Sequence, residues 1–113
     1  INSKTRILVI GVSYKKNIND IRMSPSLIFF KYYINNNYKV SYYDPYVPNL
    51  KIGNKIHYSL KFLDKKILKK YDKVLILSDH DCLDYKMIQK NSKMIYDTKG
   101  RYSNKVYKNV VFC

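Results

Sequence analysis

The chain contains no alanine, no glutamate and no tryptophan, and only three glycines. Its two cysteines, Cys82 and Cys113, form neither a disulfide framework nor a C-x-x-C metal pair. No spacing of ligands suits a zinc site or an EF-hand. No apolar run approaches the ~20 residues that cross a bilayer, so no membrane partner is expected. Nothing at the start combines a basic stretch with an apolar core, so no targeting signal is expected. A reducing, cytoplasmic location follows from the free thiols. Glycine is also too sparse for nucleotide loops of the common kinds. After the apolar run Ile7 to Val12 only Gly11 is present, which excludes both G-x-G-x-x-G and a Walker loop.

At 113 residues the chain is expected to be one domain, residues 1–113. It begins with Ile1 rather than Met and is expected to be a fragment of something longer. The hydrophobic share, 46%, argues for an ordered core rather than disorder. Lys and Arg number 22 against 8 acids, all Asp, for a net charge of +14. Abundant Lys, Asn, Ile and Tyr fit AT-rich coding, with the lysines on solvated faces. The competing reading is a surface for polyanions. Against it, the lysines are scattered, and only Lys65-Lys66 and Lys69-Lys70 cluster. Arginine, which forks onto phosphate and guanine, is limited to Arg6, Arg22 and Arg101.

Continuous apolarity over Ile7 to Val12 and Val74 to Leu77 predicts strands covered on both faces. Ser24-Pro25 reads as the cap and first position of a helix with Leu27, Phe30 and Ile34 on one face, ended by Asn35-Asn36-Asn37. Tyr38 to Tyr43 is a second strand. Asn49 to Tyr58 is a loop, with a short strand at Ile56 to Tyr58. Ser59 caps a second helix to about Tyr71, with Lys61, Lys65 and Lys69 aligned on one face. A third helix covers Asp84 to Lys90, with Tyr85 and Ile88 inward. Met94 to Tyr96 and Val110 to Phe112 are short strands. The tyrosine excess reads as core and boundary packing. The fold class is α/β: a three-layer, mostly parallel Rossmann-like sheet with helices on both faces.

Ligands of such sheets bind outside the C-terminal ends of the strands. Three segments qualify: Ser13 to Arg22, Asp79 to Asp81, and Asp97 to Arg101. Tyr14, Lys15 and Arg22 in the first suit a nucleotide diphosphate, or form a solvated basic loop. His80 is either a polar group at that mouth or a loop histidine satisfied by Asp79 and Asp81. Cys82 and Cys113 read as buried or incidental thiols.

The run Gly11-Val12-Ser13-Tyr14-Lys15-Lys16-Asn17-Ile18-Asn19-Asp20-Ile21-Arg22-Met23-Ser24-Pro25-Ser26 resembles a signature of the UDP-glucose/GDP-mannose dehydrogenase family, in its C-terminal, UDP-binding domain. Val40 to Pro48 is similar to that family's V-x-x-[HY]-D-P-[YK]-V-P, and Val74 to His80 and Met94 to Lys99 are similar to two later segments in the right order. The wording from Tyr42 to Pro48 resembles the UDP-N-acetylhexosamine 6-dehydrogenases more than the glucose branch.

The resemblance implies an enzyme that oxidises C6 of a UDP-sugar from alcohol to carboxylate, with NAD as oxidant and a catalytic Cys, for surface polysaccharide precursors. It places NAD mainly on an N-terminal domain and the Cys in a Gly-Gly-x-Cys segment, neither of which occurs here. No catalytic residue is therefore assigned to this chain, and no metal. It implies Tyr14 and Lys15 as substrate-binding, with Arg22 reaching toward the cofactor and Asp20 bracing Arg22. Lys99 falls where many members have Arg for the diphosphate, and Arg101 is the substitute. The implied partners are the UDP-sugar, the rest of the dehydrogenase chain and further copies of it in a homo-oligomer, with no nucleic acid. The alternatives are a non-enzymatic basic α/β module that binds nucleic acid or another polyanion, and a degenerate domain that keeps the fold without the ligand.

Overall fold

The computed structural model describes residues 4–22 and 24–113. Met23, inside the signature run, lies outside the described residues. The elements are β1 (Arg6–Ile10), α1 (Pro25–Asn35), β2 (Lys39–Tyr43), β3 (Asn49–Ile52), β4 (Lys55–Tyr58), α2 (Lys65–Leu68), β5 (Lys73–Ile76), α3 (Tyr85–Asn91), β6 (Ile95–Asp97) and β7 (Val110–Phe112).

Five strands form one sheet in the order β2-β1-β5-β6-β7, and every neighbouring pair is parallel. β1 is an inner strand, between β2 and β5, and its continuous apolarity is explained by burial on both sides. Ile7 and Val9 face a core shared with Phe30 of α1, while Leu8 and Ile10 face one shared with Leu68 of α2 and Ile88 of α3. The chain leaves β1 toward β2 over the α1 face and returns past β1 to β5 over the other, as right-handed crossovers require. The reversal puts a topological switch point between β1 and β5, at their C-terminal ends. The expected three-layer parallel fold is the one observed.

Local chemistry sets the helix ends. The Ser24 side chain accepts the Leu27 N–H at 3.2 Å and Pro25 fills the first position. At the other end Tyr38 N–H bonds Tyr33 C=O and Asn37 N–H bonds Ile34 C=O, with Asn37 left-handed at φ 61°. This is a Schellman ending with Asn in the place glycine usually takes. Phe30 is buried, and Leu27 and Ile34 pack beside it, as the spacing predicts.

Two expectations are corrected. The short strand at Ile56 to Tyr58 is present within β4, but residues 49–52 are a strand rather than loop, and the two form an antiparallel hairpin turned at Gly53-Asn54 with Gly53 at φ 61°. Leu50 and Ile52 bury its inner face against the α1 core. The second helix does not run from Ser59 to Tyr71. It spans four residues, Lys65–Leu68, and its cap is Asp64, whose carboxylate accepts the Ile67 N–H at 2.8 Å. Ser59 is diverted: its hydroxyl accepts the Asp44 N–H and donates to the Leu60 carbonyl. Lys61 therefore lies outside the helix, and the three-lysine face does not form. Tyrosine is divided: Tyr42, Tyr71, Tyr85 and Tyr102 are buried, while Tyr14, Tyr32, Tyr46 and Tyr58 stand exposed.

Candidate nucleotide site at the strand ends

The C-terminal end of β1 passes unusually close to that of β5. Gly11 is left-handed at φ 83°, and a Cβ there would overlap the Ser78 carbonyl. Only glycine fits. Beyond it, serines clamp the chain: Ser78 Oγ donates to Ser13 C=O at 2.6 Å and Ser24 Oγ to Val12 C=O at 2.8 Å.

From this anchor the loop 13–22 rises as a braced arch. Tyr14 N–H donates to Asp20 C=O, and Ser13 Oγ donates to Lys15 C=O, each at 2.6 Å. The backbone of Tyr14 and Lys15 is thus held while both side chains project into solvent. The Lys15 ammonium lies over the Tyr14 ring, 5.8 Å from its centroid. Arg22 is also exposed, its side chain 88% accessible, and forks onto Asp20 through Nε and Nη2, both at 3.1 Å. The predicted Asp20 brace is present, and the Arg22 guanidinium holds the Asp20 carboxyl below the usual carboxylate range.

The three predicted segments meet at Asp81. Its carboxylate accepts from Arg101 Nη1 at 2.7 Å, Asn17 Nδ2 at 2.7 Å and Lys16 Nζ at 3.3 Å. Arg101 first, then Asn17 and Lys16, hold that carboxyl far below its ordinary range. Arg101 also reaches Asp79 at 3.5 Å and lies over the Tyr85 ring, 4.3 Å from its centroid. Its side chain is 27% accessible and already committed to protein partners. Lys99 differs. Its backbone N–H bonds the buried Asp97 carboxylate at 3.0 Å, as does that of Tyr102 at 2.9 Å, and this turn presents the Lys99 side chain to solvent. Among the described residues, no carboxylate pairs with the ammonium of Lys15 or of Lys99.

His80 is satisfied, but not by Asp79 and Asp81 as expected. It is wholly buried, and its Nε2 lies 2.9 Å from Asp44 Oδ1. Its Nδ1 accepts the Asn17 N–H at 2.7 Å. Asp44, equally buried, also accepts the N–H groups of Val12 and Tyr46, at 2.8 and 2.9 Å. A buried carboxylate tolerates burial only with such donors. Both cysteines are exposed, so of the buried and incidental readings of Cys82 and Cys113 the buried one is excluded. The braces Asn17, Asp44 and Asp81 were not singled out as functional. Asp44 stood in a quoted motif, but its partner lies 36 residues on in sequence and only the folded chain pairs them.

No dinucleotide cradle is built here. Ser78 occupies the approach beside Gly11, and the α1 N-terminus is closed by its own serine cap. The residues present do not fit the pyrophosphate of NAD. Nor do three His, Cys, Asp or Glu side chains gather among the described residues into a metal site. A cavity of about 420 Å³ opens at the end of β2, with Tyr43, Pro45, Pro48, Tyr58 and Leu60 in its walls. Asp44, Ser59 and Lys61 also line it, but none of Tyr14, Lys15, Arg22, Lys99 and Arg101 does. No helix among the described residues is long and apolar enough to cross a membrane.

Comparison with known proteins agrees with this architecture. Residues 8–104 match the UDP-binding domain of the UDP-glucose/GDP-mannose dehydrogenase family. The UDP-N-acetyl-D-mannosamine dehydrogenase of Methanococcus maripaludis strain S2 is 31% identical over 96% of this chain. Among solved structures, UDP-D-ManNAc dehydrogenase from Pyrococcus horikoshii superposes with a TM-score of 0.66 at 31% identity, covering 97% of this chain and 25% of its own. The UDP-N-acetyl-mannosamine dehydrogenase of Staphylococcus aureus gives 0.67 at 27%, covering 98% and 26%. The chain spans about a quarter of the length of the relatives it matches, 26% for the Methanococcus protein. On its motifs, its fold and these matches, the chain belongs to the UDP-glucose/GDP-mannose dehydrogenase family and corresponds to that family's UDP-binding domain.

Proposed function

We infer that these 113 residues are the C-terminal, UDP-sugar-holding part of an NAD-dependent nucleotide-sugar 6-dehydrogenase, with a UDP-N-acetylhexosamine as substrate. The observation that carries the reading is the braced arch at the β1–β5 switch point. It presents Tyr14 and Lys15 on a backbone held at both residues. The held backbone removes loop ordering from the cost of meeting a diphosphate, and a charge-assisted bond from Lys15 contributes about 1.5–3 kcal/mol. Lys99 supplies a second unpaired cation from the β6 end. Arg101 serves as the brace between the loops after β5 and β6 rather than as a ligand.

Hydride transfer to NAD and covalent chemistry belong to parts of the enzyme beyond this sequence. In this reading Arg22, exposed and paired with Asp20, reaches toward a cofactor held elsewhere. The domain's contribution is to fix the nucleotide end, so that C6 of the sugar is delivered to the reacting groups. The enzyme would act in the cytoplasm on precursors of surface polysaccharide, as a homo-oligomer.

Calorimetric titration with UDP, CDP and ADP at several salt concentrations tests this. A site of this kind binds UDP saturably at one equivalent, prefers uridine and depends shallowly on salt. Equal binding of the three nucleotides, with nucleic acid bound more tightly and a steep salt slope, would favour the polyanion module instead.

A further inference from the structure

The buried Asp44–His80 pair lies behind the arch, and its hydrogen bonds assign the two ring nitrogens their roles. Nδ1 receives the Asn17 N–H at 2.7 Å, so its lone pair is in use and the ring proton resides on Nε2. Nε2 then donates to Asp44 at 2.9 Å, with Ser13 Oγ 3.4 Å away. His80 is thereby a two-ended link: one end is fixed to the exit of β2, the other to the backbone of the arch two residues beyond Lys15. The Tyr46 ring, 4.6 Å from the imidazole centroid, and the Tyr85 hydroxyl on the His80 carbonyl at 2.6 Å hold it in place.

Asn17 is left-handed at φ 64°, a conformation asparagine adopts more readily than other non-glycine residues, and the link fixes its N–H in that turn. The histidine acceptor holds its N–H, while its side chain is held separately by Asp81. The arch is thus pinned before Tyr14 by Ser13 and beyond Lys15 by Asn17. Tyr14 and Lys15 lie between.

We propose that His80 is a positioning residue for the nucleotide site: through its Nδ1 acceptor it locks Asn17, and through Asn17 it sets the arch that carries Tyr14 and Lys15. The proposal rests on the reading that Lys15 meets the diphosphate.

Two substitutions separate the ends of the link. His80→Asn keeps an acceptor near the Nδ1 position and loses the donor to Asp44. His80→Gln keeps a donor near the Nε2 position and loses the acceptor for Asn17. With UDP as probe and the intact protein in the calorimeter, His80→Gln should bind about tenfold more weakly, and His80→Asn within about twofold of the native protein. Both should melt at lower temperature. A role limited to core stability would lower both melting temperatures and leave the two UDP affinities equal, and that result would overturn the proposal. So would native affinity in His80→Gln. If either variant fails to fold, nitrogen shifts of the native His80 ring decide. A proton on Nε2 and a slowly exchanging Asn17 amide are expected, and a proton on Nδ1 overturns the assignment. Lys15→Ala tells the two layers apart. If it binds UDP as the native protein does, the placement of Lys15 fails and the proposal with it. If it binds weakly while the two His80 variants bind alike, the proposal alone fails.

Discussion

Asn17 and Asp81 hold each other through two reciprocal hydrogen bonds. Asn17 Nδ2 donates to the Asp81 carboxylate at 2.7 Å, and Asp81 N–H donates to Asn17 Oδ1 at 2.8 Å. They are 64 residues apart in sequence, one after β1 and the other after β5. The pair closes the switch point of the sheet and gives Arg101 a carboxylate to reach from the loop after β6.

The first prediction concerns acid. Hydrogen bonds from Arg101, Asn17 and Lys16 depress the Asp81 carboxyl below its unfolded value in the folded protein. A depressed carboxyl stabilises fully above its unfolded pKa and loses that contribution as pH falls toward the folded value. Asp81→Asn should lower the melting temperature by about 1–4 °C at pH 7, because an exposed ion network is worth little. The difference should shrink as pH drops below about 3.8, the unperturbed value, and also in high salt. Melting curves from pH 2 to 7 measure it. An undiminished difference at pH 2 would mean that Asp81 acts through something other than its charge.

Gly11→Ala should be severe. The new methyl group meets the Ser78 backbone rather than a movable side chain, and φ is 83°. Left-handed strain and overpacking together should cost on the order of 3 kcal/mol or more. Urea unfolding of the variant should show a large drop in midpoint or no cooperative transition. A midpoint near that of the native protein would contradict the close approach of β1 and β5.

Lys99 and Arg101 should behave oppositely. Arg101→Ala removes the Asp81 and Asp79 contacts and the stacking on Tyr85, and should lower melting by about 4–8 °C. Lys99→Arg alters a solvent-facing side chain, so melting should hold within about a degree. In the proposed site it should tighten UDP binding about 2- to 10-fold by restoring a bidentate fork. Calorimetry and melting on both variants give the answer. Unchanged affinity in both would remove the segment after Asp97 from the nucleotide site.

Much of the architecture was legible in the chain. The apolar runs at Ile7 and Val74 identified strands buried on both faces, because a parallel strand needs apolar side chains on both. Ser24-Pro25 marked the start of α1 through capping chemistry that is local. The hairpin was missed although Gly53-Asn54 is a two-residue hairpin signal between apolar positions. Helical periodicity from Leu60 to Ile67 suggested a long helix, but Ser59 was taken up by Asp44 and the start passed to Asp64. Of the candidate site, the exposed residues Tyr14, Lys15, Arg22 and Lys99 could be named from motif and charge. Of their supports, Asp20 and Arg101 could be named, and Asn17, Asp44 and Asp81 could not be paired. The pairings of His80 with Asp44 and of Asp81 with Asn17 and Arg101 join segments 20 to 64 residues apart, and no local spacing announces them.

The most direct test of the account is a titration of the protein with UDP followed by backbone amide shifts. A nucleotide docked at the strand ends should move the resonances of residues 13–22, 79–81 and 97–101 together, with one dissociation constant fitting all three segments and Lys15→Ala weakening it. Shifts confined to Lys61, Lys65, Lys66, Lys69 and Lys70, before, on and after α2, with residues 13–22 unmoved, would contradict a nucleotide site at the β1–β5 switch point.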